Sequence, residues 1–172
     1  GVDKVRITGG EPFVRKGMID FLERLVEIPG VNKVNITTNG VLTGPLVPRL
    51  KEMGIHSVNL SLDSLDRKRF HEITRRDELP KVMECLHALM DSGIKTKINA
   101  VIMDGRNTED ILPLAAFTQD HPVDVRYIEE MPFNGTGTHY PKLAWNHRRI
   151  IETLRTQYPE LEKLPDPPHS TS

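Results

Sequence analysis

The sequence predicts an α/β fold of parallel strands with outer helices, a partial (β/α) TIM-type barrel truncated at both ends. Three observations lead there. Strand-like apolar stretches alternate with amphipathic helical stretches at intervals of roughly 25 to 40 residues, as right-handed βαβ units require. The strands are rich in Val and Ile and alternate only partially, as strands do when helices cover the sheet. Each strand ends, on its carboxyl side, in small or polar residues. Five such strands are too few to close a barrel, so an arc of one is expected.

The elements follow in order. The first strand starts at Lys4 and runs into Thr8-Gly9-Gly10-Glu11-Pro12. Val5 and Ile7 carry the pattern of a buried strand, and the glycines let backbone approach a ligand. Glu11 then stands at the strand's carboxyl end, and Pro12 stops the extended run. A helix is expected over 18–28, with Phe21, Leu22, Leu25 and Ile28 on its apolar face and Pro29-Gly30 as its stop. The second strand, 31–38, closes with Thr37-Thr38-Asn39-Gly40, and a helix over 42–53 stops at Gly54. The third strand, 56–62, ends at Asp63-Ser64. A short helix over 66–73 precedes a longer one over 80–92, which turns Val82, Leu86, Leu89 and Met90 inward with Cys85 beside them. A strand over 95–103, a turn at Asp104-Gly105-Arg106-Asn107, a helix over 108–119 and a strand over 123–129 follow. The last strand leads to Glu130-Met131-Pro132, a glycine-rich loop over 134–137 and a final helix over 146–158. Residues 1–160 are expected to form the barrel core, and 161–172 a loop toward a missing C-terminal region. The first residue is Gly1, not Met, and both ends read as cut.

Composition narrows the function. With 172 residues the chain is long enough for one domain with a substantial core. A net charge of -1 with 27% charged residues argues against a nucleic-acid surface. No apolar run has the length of a membrane span, and no signal peptide is visible. A single thiol, Cys85, points to a reducing, intracellular compartment and offers no cysteine cluster.

In a parallel sheet the polar strand ends converge on one rim, where ligand sites form. Three cations, Arg6, Lys97 and Arg126, lie within strands. Burying a charge without a partner costs several kcal/mol. Each therefore either pairs with a strand carboxylate such as Glu129 or Glu11, or points into the barrel toward an anionic ligand. Two guanidiniums and an ammonium together would suit a polyphosphate. Arg67-Lys-Arg69 and Arg75-Arg76 read as solvated helix surface. The histidines show no metal-ligand spacing. Ser61, Asp63 and Ser64 have no histidine base in any evident relation to them, which disfavours a hydrolase. Gly135 and Gly137 lack the strand-turn-helix setting of a dinucleotide fingerprint.

Thr8-Gly9-Gly10-Glu11-Pro12 resembles the glycine-glycine-glutamate-proline motif of radical S-adenosylmethionine enzymes. The wider series is similar to the GTP 3',8-cyclases of molybdenum cofactor biosynthesis. The matching stretches are Arg6-Ile-Thr-Gly-Gly-Glu-Pro12, Thr37-Thr-Asn-Gly40, Asn59-Leu-Ser-Leu-Asp-Ser-Leu65, Lys97-Ile-Asn-Ala-Val101 and Arg126-Tyr-Ile-Glu-Glu-Met-Pro-Phe133. The resemblance implies that S-adenosylmethionine is held at Gly10, Ser61 and Met131, with Glu11 shaping its methionine site. It implies that GTP meets Arg6, Thr37, Lys97 and Arg126. It also implies two [4Fe–4S] clusters, one on a Cys-X3-Cys-X2-Cys loop upstream and one on three cysteines downstream. Neither set is in these residues, and Cys85 matches neither. No catalytic residue and no metal ligand is therefore expected here, and the fragment alone is expected to be inactive. The run Phe133-Asn-Gly-Thr-Gly-Thr-His139 departs from the family's usual sequence after Met-Pro-Phe.

The resemblance makes GTP the substrate, with neither nucleic acid nor membrane as partner, and leaves a homodimer open. The compartment would be the mitochondrial matrix in a eukaryote and the cytoplasm in a bacterium. Two alternatives stay open: a radical S-adenosylmethionine enzyme with another substrate, in which the three cations are incidental, and a non-catalytic nucleotide-binding module.

Overall fold

The computed structural model describes residues 1–131 and 144–165. Five strands, β1 (Lys4–Ile7), β2 (Lys33–Thr38), β3 (Ser57–Ser61), β4 (Lys95–Ile102) and β5 (Val123–Glu129), form one parallel sheet in the order β1-β2-β3-β4-β5. Sheet order equals chain order, so every crossover steps the same way, as in a barrel wall. β1 and β5 do not pair, so the sheet is an open arc.

Helices cover one face: α1 (Met18–Val26), α2 (Val47–Glu52), α3 (Arg67–Thr74), α4 (Leu79–Ser92), α5 (Ile111–Asp120) and α6 (His147–Gln157). Ile36, Val58, Leu60, Ile98, Ala100 and Ile102 turn toward the helices and are completely buried, as are Leu22, Leu50, Leu86, Leu89, Ile111 and Leu114 from the helices. Each such Val, Ile or Leu side chain contributes about 1.5–3 kcal/mol by leaving water. Cys85 belongs to this core. Tyr127 reaches across from β5 and donates its hydroxyl to the Ile111 carbonyl at 2.7 Å, joining strand to helix.

Four expectations change. β1 is not a buried strand: Lys4 and Arg6 are exposed, and Val5 and Ile7 are half-buried. It has a neighbour on one side only, so its faces are less covered than those of the central strands. On α1 the buried stripe is Met18, Leu22 and Leu25, while Phe21 is 43% exposed and Ile28 49%. The helix ends at Val26, which leaves Ile28 in the turn. The helix over 42–53 is a 3-10 turn at Gly44–Leu46 and then α2. Pro45 and Pro48 lack the amide protons that one continuous helix would use. The helix over 108–119 likewise opens as a 3-10 turn, Thr108–Asp110. The loop 134–137, with Pro132, Phe133 and His139, lies outside the described residues, as does most of 161–172.

Candidate ligand site at the strand ends

The strand ends converge as the sequence predicts. A cleft of about 490 Å³ opens there, lined by Glu11, Val14, Asn39, Val41, Leu42, Ser61, Asp63, Phe70, Thr74, Arg76 and Glu78. That volume falls within the range of small-molecule and cofactor sites.

One wall is built around Glu11. Its Oε1 accepts the Phe13 amide at 3.3 Å, and its Oε2 accepts the Asn39 amide at 2.7 Å. The Thr38 hydroxyl lies 2.9 Å from both oxygens. Thr38 also accepts the Gly40 amide at 3.0 Å and meets the Thr43 hydroxyl at 2.6 Å. A hydroxyl carries one proton, and a carboxylate can only accept. Thr38 therefore donates to Glu11, and Thr43 donates to Thr38. The chain Thr43→Thr38→Glu11 runs one way and ties the loop after β1 to the loop after β2. Gly40 completes this wall. It has φ +81, and a Cβ there would lie 2.6 Å from Leu60 Cδ1.

The opposite wall follows β3. Ser61 is exposed at the strand end, and Leu62 behind it is buried. Asp63 Oδ1 accepts the Val101 amide of β4 at 2.8 Å. Burial pushes the Asp63 carboxyl above the usual carboxylate range, and that amide partly offsets the shift. Asn107, completely buried, donates to the carbonyls of Asp63 and Val101 at 2.8 Å each and accepts the Met103 amide at 2.8 Å. Asp110, also completely buried, grips Arg69 Nε at 2.7 Å and accepts the Leu65 amide at 3.3 Å. The loop that follows Ser61 is thus locked to β4 and the loop after it.

Strand alternation and register give the face opposite the helices. Arg6 pairs with Asn35 and Asn35 with Ser57 in one row. Thr37, Asn59, Lys97 and Asp124 form the next, and Ser61, Asn99 and Arg126 the third. Arg6 and Arg126 are exposed and make no ion pair with a described residue. Lys97 is different: its ammonium lies 2.6 Å from Asp124. Of the two roles left open for it, the structure shows pairing with a strand carboxylate. Neither Glu11 nor Glu129 pairs with the three cations. Glu129 accepts the His147 amide at 2.6 Å and caps α6, and its carboxyl is held below the usual range by that amide first and the His147 side chain second. The Oδ1 atoms of Asn35 and Asn99 are buried without a hydrogen-bond partner among the described residues. Unpaired buried carbonyls are costly, and ligand sites are where they are tolerated.

Glu11 and Ser61 therefore share the cleft, and Arg6, Thr37, Lys97 and Arg126 share the polar face next to it. Gly10 sits on the bare loop after β1, where a Cβ would touch nothing within 4 Å. Met131 is 75% exposed and does not line the cleft. The sequence reading missed Thr38, Thr43, Asn107 and Asp110. Thr38 was findable: alternation puts its hydroxyl on the core side with Ile36, where it needs a partner.

The residues present fit an adenosyl amino acid: Ser61 and the carboxylates of Glu11, Asp63 and Glu78 line one cleft, and Gly10, next in sequence to Glu11, offers an open backbone. They do not fit an iron–sulfur cluster. Among the described residues no three His, Cys, Asp or Glu side chains could hold a metal ion. The Cys85 thiol is pushed up to about 12, by burial first and by the charge of Glu11 second, so it is not poised as a thiolate ligand.

The profile of the Radical SAM superfamily matches residues 1–118. Molybdenum cofactor biosynthesis protein 1 of Bos taurus is 41% identical over 173 residues, a match covering 100% of this chain and 27% of that protein. GTP 3',8-cyclase of Clostridium perfringens is 43% identical over 157 residues, covering 91% of this chain and 48% of that protein. The chain thus spans less than half the length of these relatives. The structure of Streptococcus suis SuiB bound to S-adenosylmethionine superposes with a TM-score of 0.72 at 23% identity, covering 91% of this chain and 35% of that one. The chain belongs to the Radical SAM superfamily.

Proposed function

We propose that this superfamily member is the S-adenosylmethionine- and GTP-binding portion of a GTP 3',8-cyclase, which converts GTP to 3',8-cyclo-7,8-dihydro-GTP at the first step of molybdenum cofactor biosynthesis. The observation that carries this reading is adjacency. Ser61, on the cleft, and Arg126, on the cation-bearing face, belong to one cross-strand row through Asn99. A cofactor in the cleft and an anionic substrate on the face would meet along that row. The names and identities of the relatives support the same reading.

In this assignment the Gly10 backbone and Ser61 hold S-adenosylmethionine, with Met131 approaching it from outside the cleft lining, while Glu11 fixes the loop that carries Asn39. Arg6, Thr37, Lys97 and Arg126 receive GTP, with the guanidiniums as bidentate partners for phosphate oxygens. Lys97 must exchange Asp124 for phosphate as the substrate binds. Two [4Fe–4S] clusters, on cysteines outside the described residues, would supply the radical chemistry when bound. The residues here supply positioning, charge neutralisation and exclusion of side reactions. The setting would be intracellular, mitochondrial in a eukaryote and cytoplasmic in a bacterium, and a homodimer is compatible with it.

The test is anaerobic iron–sulfur reconstitution of the full-length protein, followed by assay for 5'-deoxyadenosine with and without GTP. GTP-dependent release is expected, and release indifferent to GTP would overturn the substrate assignment. The Lys97–Asp124 pair favours one other reading, a radical S-adenosylmethionine enzyme with a different substrate in which Lys97 is structural. Lys97→Met would then leave GTP affinity unchanged.

A further inference from the structure

The polar face carries charge of nearly one sign. Alternation puts Lys4 and Arg6 of β1, Lys33 of β2, Lys95 and Lys97 of β4 and Arg126 of β5 on it. Among the described residues, Asp124 is the one acid that the strands add to this face, and Lys97 holds it at 2.6 Å. Beside the cleft, Lys81 lies 2.8 Å from Glu78 and Arg69 lies 2.7 Å from Asp110. The amino ends of the strands have no such pairing. Lys4, Lys33 and Lys95 are exposed, and their ammonium groups make no hydrogen bond or ion pair with a described residue. Asp3, next to Lys4, accepts the Asn32 and Lys33 amides through its carbonyl, and its carboxylate pairs with no described cation.

Register makes this placement costly. Lys4 stands directly opposite Lys33, and like charges opposite one another on neighbouring strands destabilise a sheet. Lys95 joins the row of Arg6 through Asn35 and Ser57. In that row Asn35 is 5% exposed, and its Oδ1 has no partner among the described residues. Lys4 and Lys33 lie two residues before the row, ~7 Å along the strands. That is within the screening length of ~8 Å at physiological salt. Their charge therefore adds to that of Arg6, and the potential stays positive from the amino ends of the strands to the guanidinium.

We propose that Lys33 and Lys95 steer an anionic nucleotide onto the polar face from the amino ends of the strands, opposite the cleft. This assignment rests on the polar face being the GTP site. A surface of one sign concentrates a ligand of the other sign and speeds its arrival, by roughly 10- to 1,000-fold in the strongest cases. Rim charges act on the association rate and its salt dependence, whereas charges that grip the bound ligand act on dissociation. Lys33 and Lys95, exposed at the starts of their strands, are the rim. Arg6 and Arg126 are the grip.

The test is stopped-flow binding of GTP to the reconstituted full-length protein, followed by protein fluorescence at low and at high ionic strength. Lys33→Glu/Lys95→Glu should slow association about tenfold at low ionic strength and leave dissociation within about twofold. Its association rate should also depend less on salt than that of the wild type. Lys33→Gln/Lys95→Gln should show a smaller loss in the same direction, so the result does not hang on the reversed charges being tolerated. Unchanged association, or faster dissociation with association unchanged, would overturn the steering role. Arg6→Gln/Arg126→Gln reports on the underlying reading separately. If it speeds GTP dissociation while the lysine variants bind at the wild-type rate, the nucleotide face stands and the steering falls. If the wild-type protein binds no GTP, both fall.

Discussion

The cleft and the polar face beside it are built in opposite ways. In the cleft, Glu11, Asp63 and Glu78 each have a named donor, and buried Thr43, Asn107 and Asp110 stand behind them. On the face, Arg6 and Arg126 stand exposed, and Asn35 and Asn99 hold buried carbonyls without partners among the described residues. One region is preorganised by its own hydrogen bonds. The other has Arg6 and Arg126 placed but not engaged, and Lys97 paired with Asp124. Preorganisation lowers the ordering cost of binding, so the cleft should depend on residues that never touch the ligand, and the face on those that do.

The largest effect expected on the preorganised side is at Asp110. Asp110→Ala strips a completely buried carboxylate from Arg69 and orphans the Leu65 amide. Removing one partner of a buried pair costs about 3–5 kcal/mol, to be read as a drop in the urea midpoint. Thr38→Val comes next. It leaves the Thr43 hydroxyl and the Gly40 amide unpaired, at about 1–3 kcal/mol, and should weaken S-adenosylmethionine binding, whereas Thr38→Ser should recover both stability and affinity.

Asp63 gives a smaller effect with a definite sign. Its carboxyl is raised by burial, so the folded protein holds that proton to higher pH than the unfolded chain does. Stability from this group is fully present below the ordinary carboxylate pKa and is lost as pH rises toward the raised folded value. Asp63→Asn keeps an acceptor for the Val101 amide and should flatten that stretch of the stability-versus-pH curve. The smallest effect is at Arg75. Arg75→Gly relieves the left-handed backbone at the end of α3 and should stabilise by about 0.5–1 kcal/mol. α4 already has the fitting residue at the equivalent position, Gly93 at φ 70.

What was legible in the sequence was local. Val and Ile periodicity gave the strands, and Pro80 and Gly93 bracketed α4 where the structure has them. The polar strand ends converge because parallel βαβ connectivity allows little else. What was not legible depended on register and neighbours. Lys97 meets Asp124 because β4 and β5 pair in one alignment, across 27 residues of chain. The exposure of β1 follows from its place at the sheet edge, which its Val and Ile pattern does not reveal. Arg75-Arg76 reads as a solvated charge run because nothing in its composition announces a left-handed turn. The Arg69–Asp110 pair joins residues 41 apart, and Arg69 sits in what reads as a surface cluster.

The separation of the two regions is the central claim, and ligand titration of the full-length protein tests it directly. In the Arg6→Gln/Arg126→Gln variant, GTP affinity should fall at least tenfold while S-adenosylmethionine stays within about twofold of wild type. An unchanged GTP affinity, or equal loss of both ligands, would contradict it.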